Sequence, residues 1–221
     1  IPLIKKPIIT FGFNSKANYQ AIKVNYNEFF SEFNVNAYGK NLGRIKLNVP
    51  GKHNIQNALG AISIALELEI PFSKIKTGIV NYTGVRRRFE VKYQTQNNIL
   101  IIDDYAHHPT EITATLEAAR SGWNRRIISI FQPHLYSRTR DFHLEFAKAL
   151  FNSDVLIITN IYPGRELPIK GISSQMIIND LKSLGYKNDY FVNDLDDIPK
   201  LVKSIVKESD IIITMGAGNI W

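Results

Sequence analysis

The sequence predicts an α/β protein whose second half forms a mostly parallel, Rossmann-like sheet with helices on both faces. From Phe89 onward, short apolar runs alternate with helical patterns, and such alternation is typical of parallel strands joined by helical crossovers. Runs such as residues 99–102 are continuously apolar, as in strands that are buried on both faces. The first fifty residues contain strand-like runs without a helical period. Together these patterns predict two structural parts.

The first part is predicted to contain strands followed by two helices. Asn, Ser and Gly residues separate four strand-like runs, at residues 7–13, 21–26, 29–39 and 43–50. After Pro50 and Gly51 the period changes, and apolar residues recur on one helical face, at Ile55, Ala58, Leu59, Ile62, Ala65 and Leu66. Pro71 interrupts this helix, and residues 72–82 form a second, shorter one.

The segment TGVRRRF at residues 83–89 is polar and precedes a new strand, so we place a domain boundary there, between domains 1–84 and 85–221. In the second domain we expect strands at residues 89–94, 99–103, 126–131, 155–161, 189–192 and 210–216. The helices are expected near residues 110–121, 140–151, 174–184 and 196–207.

Composition narrows the possible functions. The 221 residues are 44% hydrophobic, enough for a packed core, and no apolar run approaches the roughly 20 residues that cross a bilayer. The first residues lack a signal-peptide pattern and there is no cysteine, so we expect a cytoplasmic protein without disulfides or thiolate metal sites. The net charge of +7 is scattered along the chain, which favours nucleotide phosphates over nucleic acid as the anionic partner.

Polar side chains follow several of the predicted parallel strands. The segments are DDYAHHPTE (103–111), QPHLYSRTRD (132–141), YPGRELP (162–168) and GAGN (216–219). Because parallel strands end at one edge of a sheet, these segments predict a ligand crevice. A zinc site at His107, His108 and His134 is disfavoured because no zinc-ligand spacing occurs, and a purely structural loop is the plainer alternative. Polar recognition is favoured, with Asp104 suited to a ribose hydroxyl pair.

Two further motifs each have two interpretations. The three arginines at 86–88 are either a solvated linker or a hinge that reaches a phosphate. In GKHNIQNALGA, either Asn54 caps a helix, or His53, Asn54 and Asn57 present donors and acceptors to a base edge. No G-x-x-x-x-G-K-[ST] phosphate loop occurs in the chain, and MGAGN lacks the third glycine of a dinucleotide-binding turn.

Six motifs in this order carry a resemblance that spans nearly the whole chain: GKHNIQNALGA, GVRRRFE, DDYAHHPTEI, FQPHLYSRTRDF, IYPGRELPIKGISS and MGAGNIW. The chain resembles the Mur ligase family of bacterial peptidoglycan synthesis, and within it the branch that adds L-alanine to UDP-N-acetylmuramate. The resemblance implies the last part of a P-loop-type central ATPase domain (1–84) followed by most of a C-terminal Rossmann-like domain (85–221). The UDP-binding domain, the P-loop and the Mg²⁺ ligands are expected upstream, in a missing N-terminal half, with no metal ligand in this chain.

The resemblance also implies roles for particular residues. Adenine would contact His53, Asn54 and Asn57, ATP phosphates would meet Arg88 and Arg87, and Asp104 would hold the ribose. The muramate carboxylate, the alanine or the acyl phosphate would face His107, His134, Arg138 and Arg165. Leu135 stands where many relatives have arginine and Gly164 where alanine is usual, so neither is given a role.

The implied activity is ATP-dependent formation of an amide bond between L-alanine and UDP-N-acetylmuramate through an acyl phosphate. The implied partners are UDP-N-acetylmuramate, L-alanine, ATP and Mg²⁺, with no nucleic acid and no membrane. We expect the chain to be inactive alone, because it lacks the P-loop. One rival hypothesis is a ligase that recycles murein tripeptide, and another is a non-catalytic nucleotide-binding module.

Overall fold

The structure, a computed structural model, describes residues 5–221. In chain order the elements are β1 (Phe11–Gly12), β2 (Tyr19–Tyr26), β3 (Ser31–Ala37), β4 (Lys40–Leu47), α1 (Lys52–Glu67), α2 (Phe72–Val80), β5 (Glu90–Gln94), β6 (Leu100–Asp104), α3 (Pro109–Gly122), β7 (Ile127–Phe131), α4 (Tyr136–Leu150), β8 (Val155–Thr159), α5 (Gln175–Ser183), β9 (Asp189–Val192), a 3₁₀ turn (Leu195–Asp197), α6 (Ile198–Ile205) and β10 (Ile211–Met215). Among these residues, no helix has both the length and the apolar character needed to cross a bilayer.

The chain divides into two compact units. The first contains the residues up to Gly84 together with Ser121–Trp123, and the second contains Val85–Arg120 and Asn124–Trp221. Each unit has its own sheet.

The sheet of the first unit has the order β1-β2-β3-β4, with β1 parallel to β2 and the other pairs antiparallel. Alternate residues of β3 point to the core, so that Phe33 and Val35 are fully buried. They form one apolar cluster with the inner face of α1, which includes Ile55 and Leu59. Each such side chain contributes about 1.5–3 kcal/mol when it leaves water, so this cluster holds α1 against the sheet.

The strand predicted at residues 7–13 is much shorter than expected, since only Phe11–Gly12 is extended in a ladder. The reason is a local side-chain contact. The backbone N–H and the hydroxyl of Thr10 both donate to Asn18 Oδ1 at 2.9 Å, and the N–H of Asn18 donates to Thr10 Oγ1 at 3.0 Å. The N–H of Thr10 is therefore bonded to a side chain instead of a strand, while its carbonyl accepts the N–H of Tyr19 at 3.0 Å.

The sheet of the second unit has six strands in the order β5-β6-β10-β7-β8-β9, all parallel except β5. Helices lie on both faces: Ile128 and Ile130 of β7 cluster with apolar residues of α6, whereas Phe131 packs on Phe146 of α4 at 5.3 Å between ring centroids. All residues of β7 and β8 are buried. The predicted α/β class with a mostly parallel sheet is therefore confirmed.

Helix α4 begins at Tyr136, four residues before the position predicted from the sequence. Its first turn receives support from a distant loop, because the N–H of Ser137 donates to Glu166 Oε2 at 3.0 Å. The helix is kinked at Phe142, whose φ of −128° is not helical.

Candidate active site

The carboxyl ends of four parallel strands form one rim in the second unit. Asp104 at the end of β6 lies opposite Met215 of β10, and Met215 lies opposite Phe131 of β7. Phe131 in turn pairs with Ile158 of β8. The polar segments that follow these strands therefore start side by side, as expected for a ligand crevice.

The two adjacent histidines of the β6–α3 loop have different positions and contacts. His108 Nδ1 lies 3.4 Å from the N–H of Thr110 in the first turn of α3, and its ring contacts Phe142. Glu111 Oε2 accepts the N–H groups of His107 at 3.0 Å and His108 at 3.2 Å. His108 and Glu111 thus cap the helix in the manner of a capping box, which leaves the His107 ring for the rim.

The surroundings of His107 fix its tautomer. Its Nδ1 lies 2.8 Å from the carbonyl oxygen of Tyr105 and 3.3 Å from Glu111 Oε2. Both neighbours only accept hydrogen bonds, so Nδ1 carries the proton. In neutral His107 the other nitrogen, Nε2, is consequently an acceptor.

His134, after β7, has the opposite arrangement. Its Nδ1 lies 3.2 Å from Arg138 Nη1, and a guanidinium only donates, so Nδ1 accepts and Nε2 carries the proton. The rings of His107 and His134 are perpendicular, with centroids 5.7 Å apart, and Tyr162 stacks on His134 at 5.9 Å. Burial, with smaller contributions from the nearby charges of Arg138 and His107, lowers the pKa of His134 below its usual range.

Two loops of the rim are joined by backbone hydrogen bonds. The N–H of Leu135 donates to the carbonyl of Tyr162 at 3.0 Å, and the N–H of Tyr162 donates to the carbonyl of Pro133 at 2.8 Å. Gly164 has a φ of +60°, and a Cβ added there would lie 3.1 Å from His134 Nε2. A glycine at this position therefore leaves space beside the Nε2 proton.

Arg165 follows Gly164 at the edge of the rim. Its side chain is exposed, and no hydrogen bond or ion pair joins its guanidinium to another of residues 5–221. Arg165 is a cation available to a ligand.

The neighbouring arginines Arg87 and Arg88 differ sharply. Arg87 Nε donates to Asp103 Oδ2 at 3.0 Å and Nη2 donates to the carbonyl of Gly216 at 2.8 Å. Arg88 approaches Glu111 Oε1 at 3.6 Å and the centroid of the Tyr105 ring at 6.0 Å, and its side chain is 56% exposed against 22% for Arg87. Arg87 therefore anchors the segment, and Arg88 is the arginine that can reach a ligand.

Asp104 is 5% exposed and is bonded within the protein. Its oxygens accept the N–H of Phe89 at 3.2 Å, the N–H of Ala106 at 3.0 Å and the hydroxyl of Thr115 at 2.8 Å. Burial raises the pKa of Asp104 to about 6, although these hydrogen bonds oppose the shift. A carboxylate has about four acceptor sites, so about one is left for a ligand hydroxyl.

The remaining predicted residues lie in the first unit. Asn54 and Asn57 line a cavity of about 360 Å³ between α1 and α2, and His53 is not among the residues that line it. Asn54 Nδ2 donates to the carbonyl of Pro50 at 2.7 Å. Asn57 is exposed. The structure thus brings Asn54 and Asn57, but not His53, to one cavity.

The described residues contain no group of three or more His, Cys, Asp or Glu side chains that could hold a metal ion. The carboxylates closest to the rim histidines, Glu111 and Glu166, are already bonded to backbone N–H groups.

Sequence reasoning missed two contributors to the rim. Glu166 supports the first turn of α4, and Tyr162 stacks on His134. Both belong to the polar segments that follow the strands, which was the available signal. Their individual contacts depend on loops brought together by the fold, so the sequence could not pair them.

The second unit is thus an α/β domain with a parallel sheet, whose rim carries two histidines of opposite hydrogen-bonding polarity together with exposed arginines. Residues 87–218 match the model of the Mur ligase glutamate ligase domain, and residues 3–65 match that of the Mur ligase middle domain. The chain belongs to the Mur ligase family.

Within the family, the chain is similar to proteins named UDP-N-acetylmuramate–L-alanine ligase. It is 45% identical to that of Trichlorobacter lovleyi and 45% identical to that of Geotalea uraniireducens, in each case over 100% of this chain and 48% of the relative. The chain therefore spans about half the length of these curated relatives.

Solved structures agree with this similarity. The UDP-N-acetylmuramate–alanine ligase of Thermotoga maritima superposes with a TM-score of 0.81 at 33% identity, covering 96% of this chain and 45% of that one. A murein peptide ligase from Psychrobacter arcticus gives a TM-score of 0.64 at 25% identity, covering 95% of this chain and 43% of that one.

Proposed function

We propose that the chain is the carboxyl-terminal part of an ATP-dependent, cytoplasmic ligase that joins L-alanine to UDP-N-acetylmuramate in peptidoglycan synthesis. In this proposal residues up to Gly84 complete the central ATP-binding domain, and Val85 onward forms the C-terminal domain. The similarity to L-alanine ligases over the whole chain supports the choice of substrates. The proposal concerns the complete protein, of which this chain is about half.

The observation that carries the proposal is the pairing of His107 and His134, which offer an acceptor and a donor 5.7 Å apart between ring centroids. The ammonium group of L-alanine must lose a proton before its nitrogen can attack a carbonyl. His107 Nε2 is the acceptor for that proton. His134 Nε2–H and Arg165 donate to the alanine carboxylate, and Arg138 keeps His134 in the required tautomer.

The other reactant is the lactyl carboxylate of UDP-N-acetylmuramate, which a neutral amine cannot attack directly. Transfer of the γ-phosphoryl group from ATP gives an acyl phosphate, and attack by the amine forms the amide and releases phosphate. Arg88 is the described residue best placed to offset negative charge on the transferring group, since it is exposed and weakly paired. Arg87 holds the backbone from which Arg88 projects.

Asn54 and Asn57 would contact adenine, and the remaining acceptor site of Asp104 would receive one ribose hydroxyl. We do not include His53 in the adenine contact, because it does not line the cavity with the two asparagines. Mg²⁺ would be held by residues outside this chain.

The decisive experiment gives the complete ligase ATP, UDP-N-acetylmuramate and a mixture of L-alanine and murein tripeptide, and measures both amide products. We expect the alanine product to dominate. A dominant tripeptide product would instead favour the recycling ligase, and nucleotide binding without either product would favour the non-catalytic module.

A second measurement addresses the chain by itself. The 221-residue chain has no G-x-x-x-x-G-K-[ST] loop, so we expect it to release no phosphate from ATP when both substrates are present. Release of phosphate at a rate that depends on L-alanine would contradict this expectation.

A further inference from the structure

The segment GAGN after β10 brings a glycine against an aromatic ring of the rim. Gly218 is buried, and a Cβ added there would lie 2.7 Å from Tyr162 Cγ and 2.9 Å from Tyr162 Cδ2, and would overlap Gln132 Oε1. Gly218 is not among the glycines with positive φ, so an alanine could adopt the same backbone conformation. What this glycine supplies is therefore space beside Tyr162, and not backbone freedom.

Of the two neighbours of Gly218, Tyr162 has less freedom to move. Gln132 Oε1 is the end of a flexible side chain and accepts no hydrogen bond from the rest of residues 5–221, so it can turn away. Tyr162 Cγ is close to the backbone, which is held on both sides: the N–H donates to the carbonyl of Pro133 at 2.8 Å, and the carbonyl accepts the N–H of Leu135 at 3.0 Å. A side chain at position 218 would therefore tilt the Tyr162 ring.

The Tyr162 ring in turn lies on the ring of His134. The two centroids are 5.9 Å apart and the planes differ by 21°, which is a stacked geometry. Rotation of a histidine ring about its last side-chain torsion is only weakly restricted. The contact between His134 Nδ1 and Arg138 fixes one atom of the ring, whereas the stack restrains its plane. Together they set the direction of the Nε2–H group.

We propose that Tyr162 and Gly218 are positioning residues of the amino-acid site. Gly218 leaves room for the Tyr162 ring, and the ring holds His134 in the orientation that donates from Nε2 to the carboxylate of L-alanine. The inference rests on the proposed function, which it deepens by assigning the glycine-containing segment after β10 to the amino-acid site instead of the nucleotide site. Both residues should therefore affect the binding of L-alanine and not that of ATP.

Steady-state kinetics of the complete ligase, with L-alanine and ATP varied in turn, test this assignment. A stacked aromatic pair contributes enough to change binding severalfold, so Gly218→Ala should raise KM for L-alanine roughly fivefold to tenfold and leave KM for ATP within about twofold. A role confined to the fold would instead lower the amount of active enzyme, which reduces kcat with either substrate varied and leaves both KM values unchanged.

Variants of Tyr162 identify the ring as the link. Tyr162→Leu should raise KM for L-alanine to a similar extent, and Tyr162→Phe, which keeps the ring, should stay within about twofold of the parent. In a Tyr162→Ala background, Gly218→Ala should change KM no further, because the ring that it displaces is gone. Thermal unfolding of each variant separates loss of the site from loss of the fold.

Two matched controls are available in the chain. A Cβ added to Gly60, in the first unit, would also meet an aromatic ring, at 3.1 Å from Phe11 Cζ. Tyr190 of β9 is a tyrosine of the second unit that is 40% exposed. Gly60→Ala and Tyr190→Leu should both keep KM for L-alanine within about twofold of the parent.

The outcomes distinguish this inference from the proposed function. An unchanged KM for L-alanine in Gly218→Ala and Tyr162→Leu would overturn the inference and leave the ligase proposal standing. Equal increases of KM for L-alanine and ATP would overturn it as well, and so would effects of the two positions that simply add in the double variant. If Gly218→Ala does not fold, the comparison of Tyr162→Leu with Tyr162→Phe decides. A complete parent protein that does not join L-alanine to UDP-N-acetylmuramate would overturn the ligase proposal and the inference together.

Discussion

The rim of the second unit and the cavity of the first unit are built in opposite ways. At the rim, polar groups bind one another: Arg138 holds His134, and Glu111 holds the His107 loop. In the cavity, the walls are small and apolar, and the Asn57 amide has no bond to the rest of the described chain. The proton transfer proposed for the rim needs fixed tautomers before the ligand arrives, whereas the base contact proposed for the cavity needs open space.

The largest effect should come from Arg88, a rim arginine whose side chain is exposed and weakly paired. Replacement of Arg88 by Ala in the complete ligase should lower kcat/KM roughly 10²-fold or more, which is about 3 kcal/mol of transition-state stabilisation. Steady-state kinetics with ATP as the varied substrate measure this loss.

Arg86→Ala is the matched control, because Arg86 is an exposed arginine two residues away. It should stay within a factor of about two of the parent. Equal losses in the two variants would mean that the net charge of the segment, rather than the position of Arg88, controls the rate.

Arg87→Ala should lower the free energy of unfolding of the chain. Arg87 pairs with Asp103, whose side chain is only 2% exposed, and removing one partner of such a pair typically costs about 3–5 kcal/mol. Asp103 keeps a hydrogen bond from the hydroxyl of Thr214 at 2.8 Å, so we expect about 3 kcal/mol. Chemical denaturation of the 221-residue chain measures the change, and a loss below about 1 kcal/mol would contradict the anchoring role.

The contrast between these two arginines shows how far the sequence could lead. The motif GVRRRF indicated a hinge arginine, but three identical side chains in a row carry no information about which one is anchored. That depends on Asp103 and Gly216, which lie 16 and 129 residues away in the chain. The parallel sheet was predictable because continuous apolar runs depend only on local composition.

The start of α4 was not predictable for a related reason. Its first turn is stabilised by Glu166, 29 residues further along the chain, and no local capping signal replaces that contact. Arg138 therefore lies on a helix rather than in the loop that the sequence indicated, and this rigid position holds it beside His134.

Asp104 should produce a pH effect of about 2–3 kcal/mol. Its pKa in the folded chain is about 6, above the value of about 3.9 in an unfolded chain. The folded state therefore binds the proton more tightly, and the contribution of Asp104 to stability is greatest below pH 4 and declines as the pH rises to about 6. Asp104→Asn does not titrate, so it should be more destabilising at pH 4 than at pH 7.

Denaturant titrations of the chain at several pH values measure this difference. A penalty for Asp104→Asn that is constant with pH would mean that Asp104 titrates normally in the fold.

The smallest effect belongs to the cavity, and it has the opposite sign. Gly78 lies within α2, and a Cβ there would touch nothing within 4 Å, so Gly78→Ala should raise the free energy of unfolding by about 0.5–1 kcal/mol. Gly84→Ala is the matched control. At Gly84 the φ is +94° and a Cβ would lie 3.1 Å from Val49, so the same change should destabilise the chain. If Gly78→Ala raises the free energy of unfolding and weakens ADP binding, then the glycine keeps space for a ligand at a cost to the helix. If it lowers the free energy of unfolding, Gly78 is needed for the fold, and the open space of the cavity has no separate role.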